Sequence, residues 1–157
     1  MPHIAKTIDQ AVKSMANKEG KYLTFAMAGE DYGIGIFRVK EIIGMKTITS
    51  ALRTPGYVKG WINLRGKVIP VIDLRLRFGM ESTSYTEKTC VVVVEITSKR
   101  QKILAGMIVD SVSEVLNIET GEIEDESTFG SKIAGGAKIL LDIDSVLSKQ
   151  VFKDVRY

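Results

Sequence analysis

The sequence predicts a mainly β protein, built as small barrels or as a sandwich. Its apolar runs are short and bounded by turn residues, while helical periodicity is scarce. A degenerate internal repeat suggests two copies of one small β-unit. A β-hairpin at residues 60–79 is the clearest single element. Together these features favour an all-β architecture with little helix.

The hairpin sequence is GWINLRGKVIPVIDLRLRFG, in which two apolar runs flank the polar residues Arg65, Gly66 and Lys67. Glycine adopts a positive φ without steric cost, so Gly66 suits a tight turn. Pro70 cannot donate to a ladder, which favours an edge position or a bulge. We therefore expect a hairpin with the guanidinium of Arg65 at its tip, either as a docking site or as a solvated turn.

The first half of the chain opens with a tail at residues 1–18, where Thr7 and Gln10 have the spacing of a helix capping box. Residues 21–28 alternate as a strand that places Leu23, Phe25 and Met27 on one face. A turn at 29–31 leads to a second strand at 32–36. Residues 36–43 fit either one helical turn or a bent strand, and 47–52 fit a short strand.

The second half follows a polar linker at residues 81–88. Residues 89–97 are apolar throughout, which predicts a strand buried on both faces. Residues 102–110 pair back on it, and 111–116 resemble the earlier helical turn. An acidic loop at 119–130 precedes an extended region at 131–141. Asp142 or Asp144 can then cap a C-terminal helix that runs through Leu147.

The repeat aligns residues 33–43 with 106–116, and residues 72–74 with 141–143. Two small units packed side by side leave a groove between them. Grooves at such junctions are common binding sites.

Composition bounds the class of protein. The 157 residues are 45% hydrophobic and 26% charged, which is typical of one globular domain or two very small ones. Residues 1–80 carry a net charge of +7 and residues 81–157 a net charge of −4. Opposite fields of this kind orient protein partners.

The chain is predicted to be cytoplasmic. Its apolar runs are too short to span a bilayer, so we expect no direct membrane insertion. The first residues lack the apolar core of a signal peptide. The single cysteine, Cys90, lies in an apolar run and cannot form an internal disulfide.

The residues give little indication of an active site. The one histidine, His3, lies in the tail, which rules out a Ser/His/Asp or Cys/His set. Residues 33–35 lack the third glycine of a dinucleotide loop, and residues 66–68 lack the rest of a phosphate loop. Asp142 and Asp144 fit a helix cap better than a metal site.

One alternative function stays open at this point, namely a small-barrel nucleic-acid-binding module. Such barrels bind single strands through a cationic groove and stacking aromatics. The residues that would supply these groups are Arg53, Arg65, Lys67, Arg75 and Arg77, with Tyr57, Trp61 and Phe78. Against this reading, the chain is only mildly basic and its second half is acidic.

Several motifs in order resemble the CheW family. Residues 60–75 match the pattern G-x-[IV]-N-L-R-G-x-[IV]-[IV]-P-[VI]-[IV]-D-L-R. Residues 33–34 with 39–42, residues 109–116 (VDSVSEVL) and residues 140–147 (LLDIDSVL) resemble its other segments. The resemblance extends over residues 21–147.

The resemblance implies two SH3-like five-stranded β-barrel subdomains packed side by side, with a short C-terminal helix. We expect the first at 19–80 and the second at 89–147, with one strand able to cross between them and a C-terminal tail at 148–157. It also implies an adaptor that couples methyl-accepting chemoreceptors to the histidine kinase CheA, recruited from the cytoplasm to membrane receptor arrays. The resemblance implies that this adaptor is not an enzyme and uses no cofactor. The implied partners are the receptor's cytoplasmic hairpin tip and the kinase regulatory domain, with no nucleic acid.

The same resemblance implies contact residues in the groove between the barrels. By motif match these are Val39, Glu41, Asn63 and Arg65, with Asp110 and Val112 as weaker candidates. Glu41 either pairs with Arg65 internally or meets a partner. The second half departs from the family in a shortened hairpin around Gly135 and Gly136, which questions contacts carried there.

Overall fold

A computed structural model of the chain describes residues 20–45, 48–50, 56–81, 83–98, 100–117, 123–126, 130–133 and 138–147. Three predictions lie outside the described residues: the helical signal of the N-terminal tail, the shortened hairpin around Gly135 and Gly136, and the C-terminal tail at 148–157.

The described part of the chain is mainly strand, which confirms the predicted fold class. The strands are β1 (Lys21–Met27), β2 (Glu30–Gly35), β3 (Val39–Gly44), β4 (Thr49–Ser50), β5 (Val58–Leu64), β6 (Lys67–Asp73), β7 (Cys90–Ser98), β8 (Gln101–Val109), β9 (Ser111–Asn117), β10 (Ile123–Glu126), β11 (Gly130–Ile133) and β12 (Lys138–Leu141). The helical elements are a 3₁₀ turn (Ile36–Arg38), α1 (Leu74–Arg77) and α2 (Ile143–Val146).

The strands form two six-stranded sheets. Sheet A has the order β10-β11-β12-β2-β1-β9, and sheet B has the order β3-β7-β8-β6-β5-β4. Each sheet draws strands from both predicted subdomains, 19–80 and 89–147, so the exchange exceeds the one crossing strand we allowed for. The subdomain boundaries themselves stay a prediction.

The two sheets are built on the same plan, as the repeat indicated. In sheet A the early hairpin β1–β2 lies between the late strands β9 and β12; in sheet B the late hairpin β7–β8 lies between the early strands β3 and β6. Both β12–β2 and β6–β8 are parallel pairs. The repeat-equivalent glycines occupy these ladders, with Gly33 opposite Leu140 and Gly106 opposite Val71.

Strand β7, inside sheet B, is buried on both faces over most of its length. Along β7, Val92 and Val94 belong to the large core cluster, which draws residues from both sheets, while Val91 and Val93 belong to a smaller cluster on the other face. This confirms the prediction for residues 89–97. Full burial of such a side chain contributes about 1.5–3 kcal/mol, so β7 is a major source of stability in the fold.

Two short helices begin at equivalent positions of the repeat. Asp142 caps α2 by accepting from Asp144 N at 3.2 Å, which confirms the predicted C-terminal helix. Asp73 caps α1 in the same way, accepting from Arg75 N at 3.1 Å. We did not predict α1, because one helical turn is too short to show a periodicity.

Two local predictions need correction, and a third had left two options open. Residues 111–116 form a strand, not a helical turn, because β9 pairs with β1 and tertiary pairing overrides a weak helical spacing. The predicted acidic loop contains β10, which pairs with β11. Residues 36–43 combine both options, since a 3₁₀ turn at Ile36–Arg38 leads directly into β3.

Candidate docking site at the β5–β6 hairpin tip

The tip of the β5–β6 hairpin is a two-residue turn. Leu64 and Lys67 face each other across Arg65 and Gly66, which have φ of +52° and +81°. Two positive φ values in a two-residue loop define a type I′ turn, which matches the twist of the flanking strands. Asn63 Oδ1 accepts from Gly66 N at 3.0 Å and fixes the loop. The predicted hairpin is therefore present, with a non-glycine residue held in the left-handed region.

The turn aims Arg65 at Glu41 on β3. The guanidinium makes two parallel contacts: Nη1 donates to Oε2 at 3.0 Å, and Nη2 donates to Oε1. The carboxylate is largely buried, with its side chain 12% exposed, whereas the side chain of Arg65 is 69% exposed. A fork-to-carboxylate contact of this kind is strong and directional. The outer side of the guanidinium remains accessible to solvent.

An apolar pocket of about 150 Å³ lies beside this ion pair. Leu64, Ile69, Val93 and Leu104 supply its apolar lining, and Lys40 and Lys67 add positive charge at its edge. Since β7 and β8 lie between β3 and β6 in sheet B, the ion pair spans the face of two strands. The pocket therefore joins an apolar surface to an exposed cation.

The structure brings only part of the predicted contact set together. Glu41, Asn63 and Arg65 meet at the tip. Val39 lies on the same strand as Glu41, but its side chain is buried in the core. Val112 is also a core residue. Their assignment as contact residues stays a prediction.

Asp110 has a different environment from Arg65. Its Oδ1 accepts from Arg75 Nε at 2.9 Å, and its Oδ2 accepts from Arg75 Nη2 at 2.7 Å and from Ala28 N at 2.9 Å. The hydrogen bond from Arg75 holds the pKa of Asp110 below its usual value, against the opposing effect of burial, and the Ala28 N–H adds to the lowering. Asp110 thus joins the β1–β2 turn to α1.

Sequence reasoning missed most of the pocket lining. Lys40, Val93 and Leu104 come from strands β3, β7 and β8, which are distant in sequence from the hairpin. The only advance signal was for Val93, which lies in the segment 89–97 that was expected to be a buried strand. A strand pattern in the sequence identifies a strand, but it does not indicate which other strands lie next to a given hairpin tip.

Arg75 and Arg77, two of the cations considered for nucleic-acid binding, make contacts within the protein. Arg75 is paired with Asp110, and Arg77 Nε donates to Val146 O at 3.0 Å while the guanidinium lies over Tyr57, 5.4 Å from the ring centroid. Burial raises the pKa of the Cys90 thiol to about 11, so it stays protonated. Within the described ranges, no three His, Cys, Asp or Glu residues cluster as metal ligands. In the same ranges, every helix is too short or too polar to cross a bilayer.

The fold and the site together define a class of protein: a mainly β docking module with an SH3-like architecture, which presents a charged hairpin tip over an apolar pocket. Comparison with known proteins narrows this class. The family model for the CheW-like domain matches residues 21–150. The chain therefore belongs to the CheW-like domain family.

Individual relatives agree with this assignment. The chemotaxis protein CheW of Klebsiella aerogenes is 36% identical over 141 residues, which cover 83% of this chain and 82% of the relative. CheW of Rhizobium meliloti is 28% identical, covering 89% and 95%. The crystal structure of the scaffolding protein CheW from Thermoanaerobacter tengcongensis matches with a TM-score of 0.73 and 35% identity, covering 84% of this chain and 94% of that one.

Proposed function

We propose that this protein is a chemotaxis adaptor that couples methyl-accepting chemoreceptors to the histidine kinase CheA by non-covalent binding, without catalysing a reaction. The observation that carries the proposal is the ion pair between Arg65 and Glu41 beside an apolar pocket, in a chain of the CheW-like domain family. An adaptor needs a binding surface that keeps one conformation before the partner arrives, and its binding must be reversible. The ion pair between Arg65 and Glu41 meets both requirements.

The receptor's cytoplasmic hairpin tip is the partner we assign to this surface. Apolar side chains of the tip would pack on Leu64, Ile69 and Leu104, while a carboxylate or carbonyl oxygen approaches the exposed side of Arg65. Because Glu41 already holds the guanidinium in one orientation, the Arg65 side chain loses less conformational entropy when the receptor binds. Glu41 then acts by positioning Arg65 and not by direct contact.

The kinase regulatory domain is the second partner. Asp110 and Val112 are the weaker contact candidates. Asp110 lies at the junction between β8 and β9 and pairs with Arg75, and Val112 follows it with its side chain buried in the core. We assign them an indirect role, in which they hold the surface that faces the kinase. The protein would work in the cytoplasm and be recruited to membrane receptor arrays through these two partners.

The test is a change at Arg65 with a matched control at Arg100. Both arginines occupy two-residue hairpin loops with positive φ, +52° and +65°, but only Arg65 borders the pocket. We expect Arg65→Ala to weaken the calorimetric affinity for a receptor tip fragment by about tenfold, or about 1.4 kcal/mol. Arg100→Ala should leave the Kd within about twofold, because it removes no contact at the pocket.

The variant Arg65→Lys separates charge from geometry. A lysine keeps the positive charge but cannot make the two parallel contacts. We expect intermediate binding and an unchanged circular dichroism spectrum. If Arg65→Ala binds the receptor fragment as tightly as the unmodified protein, the assignment of Arg65 is wrong. If neither the receptor fragment nor the kinase domain co-sediments with the unmodified protein, the adaptor function itself is wrong.

A further inference from the structure

A notch opens in sheet B where β6 and β8 diverge. Their parallel ladder covers only Val71–Asp73 against residues 106–108. Before it, both strands continue, β6 through residues 67–70 and β8 through residues 101–105, each paired on its outer side. The space between them has a volume of about 540 Å³ and is lined by residues 67–70 and 102–104. That volume lies within the range of ligand sites.

The β8 backbone presents hydrogen-bonding groups to this notch. Ser98 and Gln101 face each other across a two-residue loop, so this closing pair exchanges bonds within the β7–β8 hairpin. By alternation, Lys102 and Leu104 direct their N–H and C=O groups away from β7. The next residue whose backbone groups point away from β7 is Gly106. It pairs with Val71 of β6, which agrees with this alternation.

The same count on β6 explains the position of Pro70. Leu64 and Lys67 close the β5–β6 hairpin, so Val68 and Pro70 face the notch. A proline there breaks no bond to β5, and its missing N–H ends the ladder with β8 at Val71. Pro70 was expected to favour an edge position. β6 is an internal strand, but its ladder with β8 begins only at Val71, so Pro70 has an edge-like position on that side. The β8 side of the notch is therefore the richer in donors.

The side chains around the notch are partly apolar and partly positively charged. Val68 is a β-branched residue that is 52% exposed, and Ile103 packs at the edge of the core. Lys67 and Lys102 flank the notch, and the side chain of Lys102 is 75% exposed. The contact of Lys102 with Glu95 is long, 3.9 Å, and Glu95 is shared with Lys40 at 3.7 Å. Exposed pairs of this kind exchange readily.

We propose that this notch binds an extended, apolar segment of a partner protein that carries acidic residues at its ends, added as a strand against β8. Backbone groups of Lys102 and Leu104 supply the pairing, Val68 and Ile103 accept alternate side chains, and Lys67 and Lys102 select for acidic flanks. Strand addition obtains affinity from the main chain and specificity from such side-chain positions. The notch shares Lys67, Ile69 and Leu104 with the pocket beside Arg65, but the proposed contact uses the β8 backbone and not the guanidinium.

The charge preference is tested by NMR titration of the full chain with short labelled peptides. One peptide alternates valine and threonine between paired glutamates, and its control has lysines in place of the glutamates. The acidic peptide should shift the amides of Val68, Lys102 and Leu104 and bind about tenfold more tightly than the basic one. Lys67→Glu with Lys102→Glu should reverse that preference. Equal binding of both peptides, or no shift at millimolar peptide, would overturn the proposal.

The backbone role is tested by Lys102→Pro against Lys102→Ala. Both remove the cation, but only proline removes the N–H that faces the notch, and no β7 bond is lost. We expect proline to weaken peptide binding beyond alanine by about tenfold. Equal affinities of the proline and alanine variants would refute strand addition. If Lys102→Pro prevents folding, the combined Lys67→Glu and Lys102→Glu variant provides the test. Arg65→Ala should leave peptide binding intact, so a failed receptor assay and a failed peptide assay can be told apart.

Discussion

At the scale of single residues, Arg65 has two opposing energetic effects. Its φ of +52° is a left-handed conformation that costs a residue with a β-carbon about 1–2 kcal/mol. The forked contact with the buried carboxylate of Glu41 offsets this cost. Backbone strain that is held by its surroundings tends to occur at functional positions. In this protein the strain fixes the direction of the guanidinium over the pocket.

Asp110 gives a prediction about acid stability. Because its pKa is lowered in the folded state, chiefly by the hydrogen bond from Arg75, the stabilisation is complete above the unfolded value of about 3.9 and is lost as pH falls through the folded value. At pH 7, Asp110→Asn should reduce the free energy of unfolding by about 1–3 kcal/mol. Urea denaturation should show that this difference shrinks below about pH 4.

The control for Asp110 is its partner. In an Arg75→Ala background the carboxylate loses its forked donor, so Asp110→Asn should have little pH-dependent effect. A difference between Asp110 and Asn that stays constant from pH 7 to pH 3 would contradict the ion-pair explanation. It would leave only the hydrogen bond from Ala28 as the source of stability.

Residue identity predicted the centre of the site but not its surroundings. Arg65, Glu41 and Asn63 were named from motif and hairpin pattern, and the structure places them together. The pairing of Asp110 with Arg75 was not predicted, because it depends on the β8–β9 junction passing next to α1. The sequence shows which residues are charged, but it does not show which oppositely charged residue the fold places next to each of them.

At the scale of elements, two glycines in the β5–β6 hairpin have different physical roles. Gly60 has φ of +144°, and a β-carbon there would lie 1.8 Å from the backbone oxygen of Thr49. Gly66 has φ of +81° with no atom within 4 Å of such a carbon. Gly60 is therefore required for the contact between β4 and β5, whereas Gly66 is required only for the turn.

This contrast gives a matched pair of substitutions. Gly60→Ala should destabilise the protein by at least about 3 kcal/mol, since the clash is with backbone and the pairs of β4 with Gly60 and Trp61 must separate. Gly66→Ala should cost only about 1–2 kcal/mol of backbone strain. Chemical denaturation measures both. Equal costs would mean that β4 moves aside freely and that its pairing adds little stability.

The type of an element could be predicted where its residues alternate between buried and exposed. The prediction was unreliable where pairing with a distant strand determines the structure. The alternation of Leu23, Phe25 and Met27 identified β1 correctly, because one face of that strand is fully buried. Residues 111–116 carry a spacing that suits a helix equally well, and only their ladder with β1 makes them β9. Local sequence could not reveal that ladder, since β1 is some ninety residues earlier.

At the scale of the whole molecule, two ion pairs hold the points where the chain passes between sheets. Arg38, between β2 and β3, donates from Nη2 to Asp144 of α2 at 2.8 Å. Asp110, between β8 and β9, accepts from Arg75 of α1. Arg75 and Asp144 each lie two residues after a helix-capping aspartate, so these two partners are equivalent in the repeat, with opposite charges.

The exchange of hairpins makes the two sheets mutually dependent. The large core cluster includes Phe25 of β1 and Val92 of β7, so neither hairpin buries its apolar face without the other half of the chain. Each sheet also loses its central strands if the chain is divided at the linker. We therefore expect the protein to unfold as one cooperative unit in spite of its two-part plan.

Division of the chain at the linker tests this dependence. A fragment of residues 1–80 contains β3 and β6 but not β7 and β8, which lie between them in sheet B, so it should show poorly dispersed NMR amide resonances and no cooperative melting. A fragment of residues 83–157 lacks β1 and β2 and should behave likewise. Mixed together, the two should assemble and recover the spectrum of the intact protein, because the cut leaves every described strand whole and keeps the groups of the hydrogen bond from Tyr85 to Asp73. A control cut inside the β7–β8 loop should assemble less well, since it divides the hairpin that sheet B encloses. A folded, cooperatively melting fragment 1–80 would contradict the exchange and favour two independent units.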